Sequence, residues 1–199
     1  FYQVYQDGKI NYERTMEFFD VEPEHAIEPK DRDPMELAGS VEVRDLSFVT
    51  DTGIHLLMSL DAAENLSKGA ANVVFAVLLH DLGKGITPQQ ELPSHRGHES
   101  AGVPPVVAAC SRLQVPNAVH DLSRKVCLLH LRCHRILEAR PLSALRLLEK
   151  LDVFRQPELL PDFVAACEAD YRGRKGLQDR AYPQGEYLQQ VYQAAAGIR

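Results

Sequence analysis

Eight histidines and twenty-eight acids are spread along these 199 residues, but a few of them stand where polar side chains are costly. His80 and Asp81 close the run AANVVFAVLL, which begins at Ala70 and is almost without polarity. A helix that is apolar on every side lies inside a fold. Its end therefore delivers an imidazole and a carboxylate into the interior or onto the floor of a cleft. A buried carboxylate is unfavourable unless a partner or a metal compensates it. Adjacent side chains on a regular helix diverge by about 100°, whereas at a terminus the backbone can turn and aim both at one ion. Gly83 and Gly85 follow at once and are expected to end the helix in the left-handed conformation that glycine tolerates.

Further imidazoles and one acid fall on or beside apolar helical faces. His55 sits next to a face made by Ile54, Leu57, Met58 and Ala62. His98 stands three residues after His95 at the mouth of another helix. His130 and His134 are four apart and share a face. Asp152 adjoins the stripe Leu142, Leu145, Leu148 and Leu151. Taken singly, each His reads as a structural residue. Taken together, His55, His80, Asp81, His98, His130 and Asp152 come from five helices or helix ends, which is how a helical bundle builds a metal site. Neutral imidazole suits Zn, Fe, Ni, Cu and Mn, and added carboxylates tilt the choice towards Mn, Mg or Fe. A divalent ion lowers the pKa of a water and neutralises phosphoryl oxygens, as hydrolysis of a phosphoester needs. Lys84, one turn past the pair, can hold a phosphate oxygen as a point charge. Asp81 and Lys84 are thus the catalytic candidates, and His98 and His130 are candidates for a second ion or a phosphate contact. His95 and His134 read as supporting, substrate-facing or solvated; His25 and His120 read as surface residues.

The elements that must position these groups are helices. Periodic patterns are expected from about Thr50, over Ala70–Leu82, from His98 to about Leu113, after Pro116, over Pro141–Arg155, from Pro157 to about Arg172, and in YPQGEYLQQVYQAA. Pro104 and Pro105 should bend or restart the third of these. Pro116 suits the first helical position. The class is all-α. Residues 1–49 read as an extension or connector in which SVEVRDLSFV could form a short strand, and residues 50–199 as the domain that carries the chemistry, with a C-terminal helical extension.

Charged residues make up 25% of the chain and the net charge is −6, which argues against a general nucleic-acid binder without excluding a local basic patch. Arg172, Arg174 and Lys175 form such a cluster; they could touch RNA phosphates or complement a helix dipole. The four cysteines (Cys110, Cys127, Cys133, Cys167) include no CxxC pair and are expected to be reduced and buried, as in an intracellular, cytoplasmic protein. No apolar run is long enough to span a membrane. A chain starting at Phe1 reads as a piece of something longer.

The order H…HD…D on helices resembles the HD-domain metal-dependent phosphohydrolases. More closely, DTGIH, LLHDLGKG, HRGH with a following AG, RLQVPN, the LD before Phe154-Arg155, EADYRGR and YPQG are similar to the C-terminal half of bacterial tRNA nucleotidyltransferases (CCA-adding enzymes) that carry an HD domain. The likeness covers about residues 50–196. It implies the helical HD fold and metal ligands His55, His80, Asp81 and Asp152. It also implies phosphatase, 2′-nucleotidase or 2′,3′-cyclic phosphodiesterase activity with a divalent ion such as Ni or Mg. Two-metal relatives of the HD-GYP type place Lys84, His98 and His130 comparably. The partners implied are a phosphoester or nucleotide substrate, tRNA in a full-length enzyme, and a second copy of the chain in a homodimer. The nucleotidyltransferase head is absent from the sequence, so nucleotide addition is not expected of it. Two alternatives are a stand-alone nucleotidase and a non-catalytic tRNA-binding body with a vestigial metal site.

Overall fold

A computed structural model of the chain describes residues 51–197, and among them every regular element is helical. The expected strand within 41–50 lies outside the described residues. Eight α-helices follow one another: α1 Asp51–Ser67, α2 Ala71–Leu79, α3 His98–Ala101, α4 Val103–Arg112, α5 Asn117–His134, α6 Pro141–Leu151, α7 Leu159–Arg172 and α8 Pro183–Ala196. Short 3₁₀ turns at Leu82–Ile86, Gln89–Glu91 and Ile136–Glu138 join them.

Helix α2 is the central element. It packs on α1, α5 and α7, which is why its sequence is apolar on all sides. Val73, Ala76 and Val77 enter the main core with Leu122, Val126, Leu148, Leu151, Phe163 and Ala166. Leu79 enters a second, smaller cluster with Val106, Cys110 and Cys127. Each of the Val, Leu and Phe side chains among them contributes about 1.5–3 kcal/mol on leaving water. All four cysteines are free and buried, as their apolar settings suggested.

Several boundaries and faces differ from the sequence expectation. Helix α2 stops at Leu79, not Leu82, so His80 occupies its C-cap and Asp81 lies beyond it. Neither Gly83 nor Gly85 has a positive φ. Gly83 serves close approach instead: a Cβ there would lie 1.9 Å from the His98 carbonyl oxygen and 2.7 Å from the Gly102 nitrogen. The third helix does restart, at Gly102, with prolines in the first turn of α4. Helix α5 begins at Asn117, with Pro116 as its N-cap. Helix α6 ends at Leu151, four residues early, and buries Ala144, Leu147, Leu148 and Leu151, while Leu142 is exposed. In α1, Ile54 and Leu57 are 48% and 53% exposed. The inward face there is His55, Ser59 and Ala63.

Gly173 makes a second close approach, its Cα facing Ser59 of α1 so tightly that a Cβ would stand 1.9 Å from Ser59 Oγ and 2.8 Å from its Cα. These two glycines set how close α3 and α1 come to the residues they serve. Gly83→Ala forces backbone against backbone and is expected to destabilise the chain by on the order of 1–3 kcal/mol, read as a lower denaturant midpoint at unchanged slope.

Candidate metal centre

His55, His80, His98 and His130 are brought together by four different segments, and each ring is fixed from behind. The Nδ1 atom of His80 lies 2.6 Å from the Val77 carbonyl oxygen. That of His98 lies 2.9 Å from the His95 carbonyl, and that of His130 is 3.0–3.1 Å from the carbonyls of Cys127 and Val126. A carbonyl only accepts, so these three Nδ1 atoms carry a proton, and each Nε2 is the nitrogen left to bind a cation once it is unprotonated. His55 Nδ1 stands 3.4 Å from Ser59 Oγ, which donates to the His55 carbonyl at 2.7 Å. This backing by carbonyls is how metal-binding imidazoles are oriented.

The four Nε2 atoms converge on two carboxylates. Asp81 Oδ2 is 3.1 Å from His80 and 3.8 Å from His55, and Lys84 Nζ is 2.5 Å away. Asp81 Oδ1 is 3.2 Å from His98 and 3.9 Å from His130. The second carboxylate is Asp170, 2% exposed on α7, whose Oδ1 is 3.1 Å from His55 and 3.7 Å from His80. Two ligand sets result: His55, His80 and Asp81, with Asp170 beside them, and Asp81, His98 and His130. Asp81 belongs to both, one oxygen to each.

The residues fit a cation. His80 Nε2, His98 Nε2 and Asp81 Oδ1 are buried and make no hydrogen bond, although they lie within ion-pair distance of one another's partners. Three orphaned ligand atoms in one pocket are what a bound ion would satisfy. Burial opposes charge on Asp81, but His80, His98 and Lys84 outweigh it and hold its carboxyl well below the usual range. Burial likewise opposes ionisation of Asp170, and His134, His55 and His80 reverse it. Burial also opposes a proton on His80, yet Asp81 and Asp170 push its pKa up to about 9. His130, desolvated and facing His80, is lowered to about 4. A ligand to metal must be unprotonated. Hence metal taken up below pH 9 displaces the His80 proton. Affinity is expected to climb about tenfold per pH unit as pH rises towards about 9, where it levels. Calorimetry of metal binding in two buffers of different ionisation enthalpy would count the proton released.

Asp152 is not in this group. It adopts a left-handed conformation (φ 60°, ψ 28°) that ends α6 and swings its side chain away from the buried stripe. Its Oδ2 accepts from Gln156 Nε2 at 3.2 Å, and it lines a separate cavity of about 440 Å³ with Asn117, Asp121 and Lys125. Asp170 stands where Asp152 was expected. The signal for it was present: Phe163, Ala166, Cys167 and Asp170 recur at helical spacing on one buried face, and Asp170 lies within the EADYRGR motif. Of the basic cluster, Arg172 is tied to Glu168 (2.6 Å) and Gln178 (3.4 Å). Arg174 leans back towards Asp170 Oδ1 at 3.5 Å, and Lys175 is exposed. His95 supports His98 through its carbonyl and meets Thr87 Oγ1 at 2.9 Å.

A helical fold with a His-Asp pair at the end of its central helix, joined by His residues from neighbouring helices, defines an HD domain. The family model described as HD domain matches residues 52–155, and the chain belongs to that family. Among curated relatives, it is 48% identical over 149 residues to the Multifunctional CCA protein of Acinetobacter baumannii, covering 75% of this chain and 36% of that one. It is 51% identical over 148 residues to the Multifunctional CCA protein of Thioalkalivibrio sulfidiphilus and 49% identical over 148 to that of Alkalilimnicola ehrlichii, with 74% and 36% of the two chains covered in each case. The chain thus spans about a third of the length of these relatives. No solved structure gives a significant match. Among the described residues, no helix is long and apolar enough to cross a membrane.

Proposed function

We propose that this domain is a metal-dependent phosphohydrolase acting on 2′,3′-cyclic phosphodiesters, 2′-nucleotides or related phosphomonoesters, as the HD portion of a CCA-adding enzyme of the cytoplasm. The observation that carries the reading is the set of imidazoles locked by carbonyls at Nδ1 with their Nε2 atoms turned towards Asp81 and Asp170. His55, His80, Asp81 and Asp170 would hold one divalent ion, with Asp81, His98 and His130 available to a second. The mixed nitrogen and oxygen donors suit Mn, Fe, Ni or Zn better than Mg. Bound there, the ion supplies an acidified water and charge stabilisation on phosphoryl oxygens.

The chain's own groups supply the rest. Lys84 on Asp81 and Arg174 on Asp170 put one cation beside each carboxylate, both partly exposed. A phosphate displaces such pairings by accepting from the ammonium and, in bidentate fashion, from the guanidinium. Asp81 Oδ2 and Asp170 Oδ1 keep the imidazoles in register while the substrate enters. tRNA is the partner proposed for the full-length enzyme. Lys175 and the open side of Arg174 are the proposed phosphate contacts, since Arg172 is engaged by Glu168.

The test is elemental analysis of the purified chain together with hydrolysis of 2′,3′-cyclic AMP, 2′-AMP and p-nitrophenyl phosphate under Mn, Ni, Mg, Fe and Zn. Turnover of one of these esters that depends on the metal is the expected result. Stoichiometric metal with no turnover of any would favour the non-catalytic tRNA-binding body.

A further inference from the structure

The two oxygens of Asp170 are used differently. Oδ1 faces His55 and His80, whereas Oδ2 accepts from His134 Nε2 at 2.6 Å. His134 lies one turn beyond His130 on α5, its ring centre 6.0 Å from that of His130, yet it is outside both ligand sets. Its other nitrogen meets the Tyr182 hydroxyl at 3.0 Å, and that hydroxyl lies 3.3 Å from Cys133 Sγ. Tyr182 and Cys133 are buried. Tyr182 is the residue immediately before α8, and Gln184 in the first turn of α8 donates to the His134 carbonyl at 3.1 Å. Leu188, fully buried, fastens α8 to the core.

We infer that His134 and Tyr182 are positioning residues for Asp170, and that the last helix serves the metal centre by delivering Tyr182 to it. The inference rests on the reading of Asp170 as a ligand. A carboxylate free to rotate about its last torsion would present either oxygen, and Arg174 at 3.5 Å would draw it towards the surface. His134 holds Oδ2 back, so one oxygen only is offered beside the Nε2 atoms of His55 and His80. Tyr182 fixes the plane of the His134 ring by occupying Nδ1. Such hydrogen-bond partners of metal ligands are worth about 10–100-fold in metal affinity.

The deciding measurement is the Kd of the 199-residue chain for Mn²⁺, by competition with a chelating dye after the resident metal is stripped. His134→Leu should raise Kd about 10–100-fold. His134→Gln, whose amide N–H reaches the place of Nε2, should stay within about threefold of wild type. Tyr182→Phe removes one hydroxyl at nearly constant volume and should raise Kd several-fold. A His134→Leu protein within twofold of wild type overturns the inference. So does a His134→Gln protein as weak as His134→Leu, because the hydrogen bond would then not be the cause. If His134→Leu loses its helical circular dichroism, Tyr182→Phe decides alone, and a Kd within twofold of wild type overturns. Asp170→Asn separates the two levels. Undiminished affinity there sinks the ligand reading itself, whereas weakened affinity there with normal affinity in the His134 and Tyr182 variants sinks only the positioning roles.

Discussion

Asp81→Ala should empty the proposed centre of metal and abolish phosphoester hydrolysis while leaving the helical fold in place. Asp81 is the only residue common to both ligand sets, with Oδ2 towards His55 and His80 and Oδ1 towards His98 and His130. Its loss removes one ligand from each. It also removes the foremost group that offsets burial of a charge on His80, and it leaves Lys84 Nζ without the carboxylate it pairs with. Loss of a hydrogen-bond partner behind a ligand costs about 10–100-fold in affinity or activity, so loss of a shared ligand should exceed 100-fold in both. The fold should survive because the carboxylate lies in the polar pocket, while the core is made by α2, α5, α6 and α7 through Val77, Val126, Leu148 and Phe163. Metal content by elemental analysis, with far-ultraviolet circular dichroism beside it, reads both halves. Full metal content in the variant would show the ligand assignment to be wrong.

Much of the site was legible because burial and chemistry conflict there. His80 and Asp81 follow a run too apolar to face water, and that conflict survives any uncertainty over where α2 ends. His98 and His130 could be read from spacing, since each falls at the start or on the buried face of a helix. The α1 face was misread for an instructive reason. Ile54 and Leu57 look like the inward residues, but the positions that turn inward are His55, Ser59 and Ala63. A functional site inverts the rule that apolar side chains face the interior. The ends of helices were the least legible. Nothing in the Pro141–Arg155 pattern announces a left-handed residue at 152, because Asp is tolerated in that conformation without being required for it. Close approach was also hidden. Gly83 looked like an ordinary helix-end glycine and Gly173 carried no signal of its own, and only the neighbouring atoms of His98 and Ser59 show why no Cβ fits.

The sharpest contrast is between two aspartates eighteen residues apart. Asp170→Asn should raise the Kd for Mn²⁺ more than about tenfold and depress hydrolysis at least as much, since a ligand contributes no less than its supporting partner. Asn keeps the volume but replaces a charged oxygen with a neutral one or a donor, and a donor facing His55 Nε2 and His80 Nε2 cannot share a cation with them. Asp152→Asn should leave both quantities within about twofold of wild type. Asn accepts the left-handed φ of 60° that ends α6, and the side chain it replaces is 34% exposed and pairs, among the described residues, with Gln156 and at 3.6 Å with Arg155. Exposed pairs of that kind contribute about 0–1 kcal/mol. The comparison needs no assumption about the substrate, because metal affinity alone reads it. Loss in Asp152→Asn with retention in Asp170→Asn would return the fourth ligand to the end of α6. Loss confined to Asp170→Asn would fix it on α7, opposite the His-Asp pair that ends the apolar helix.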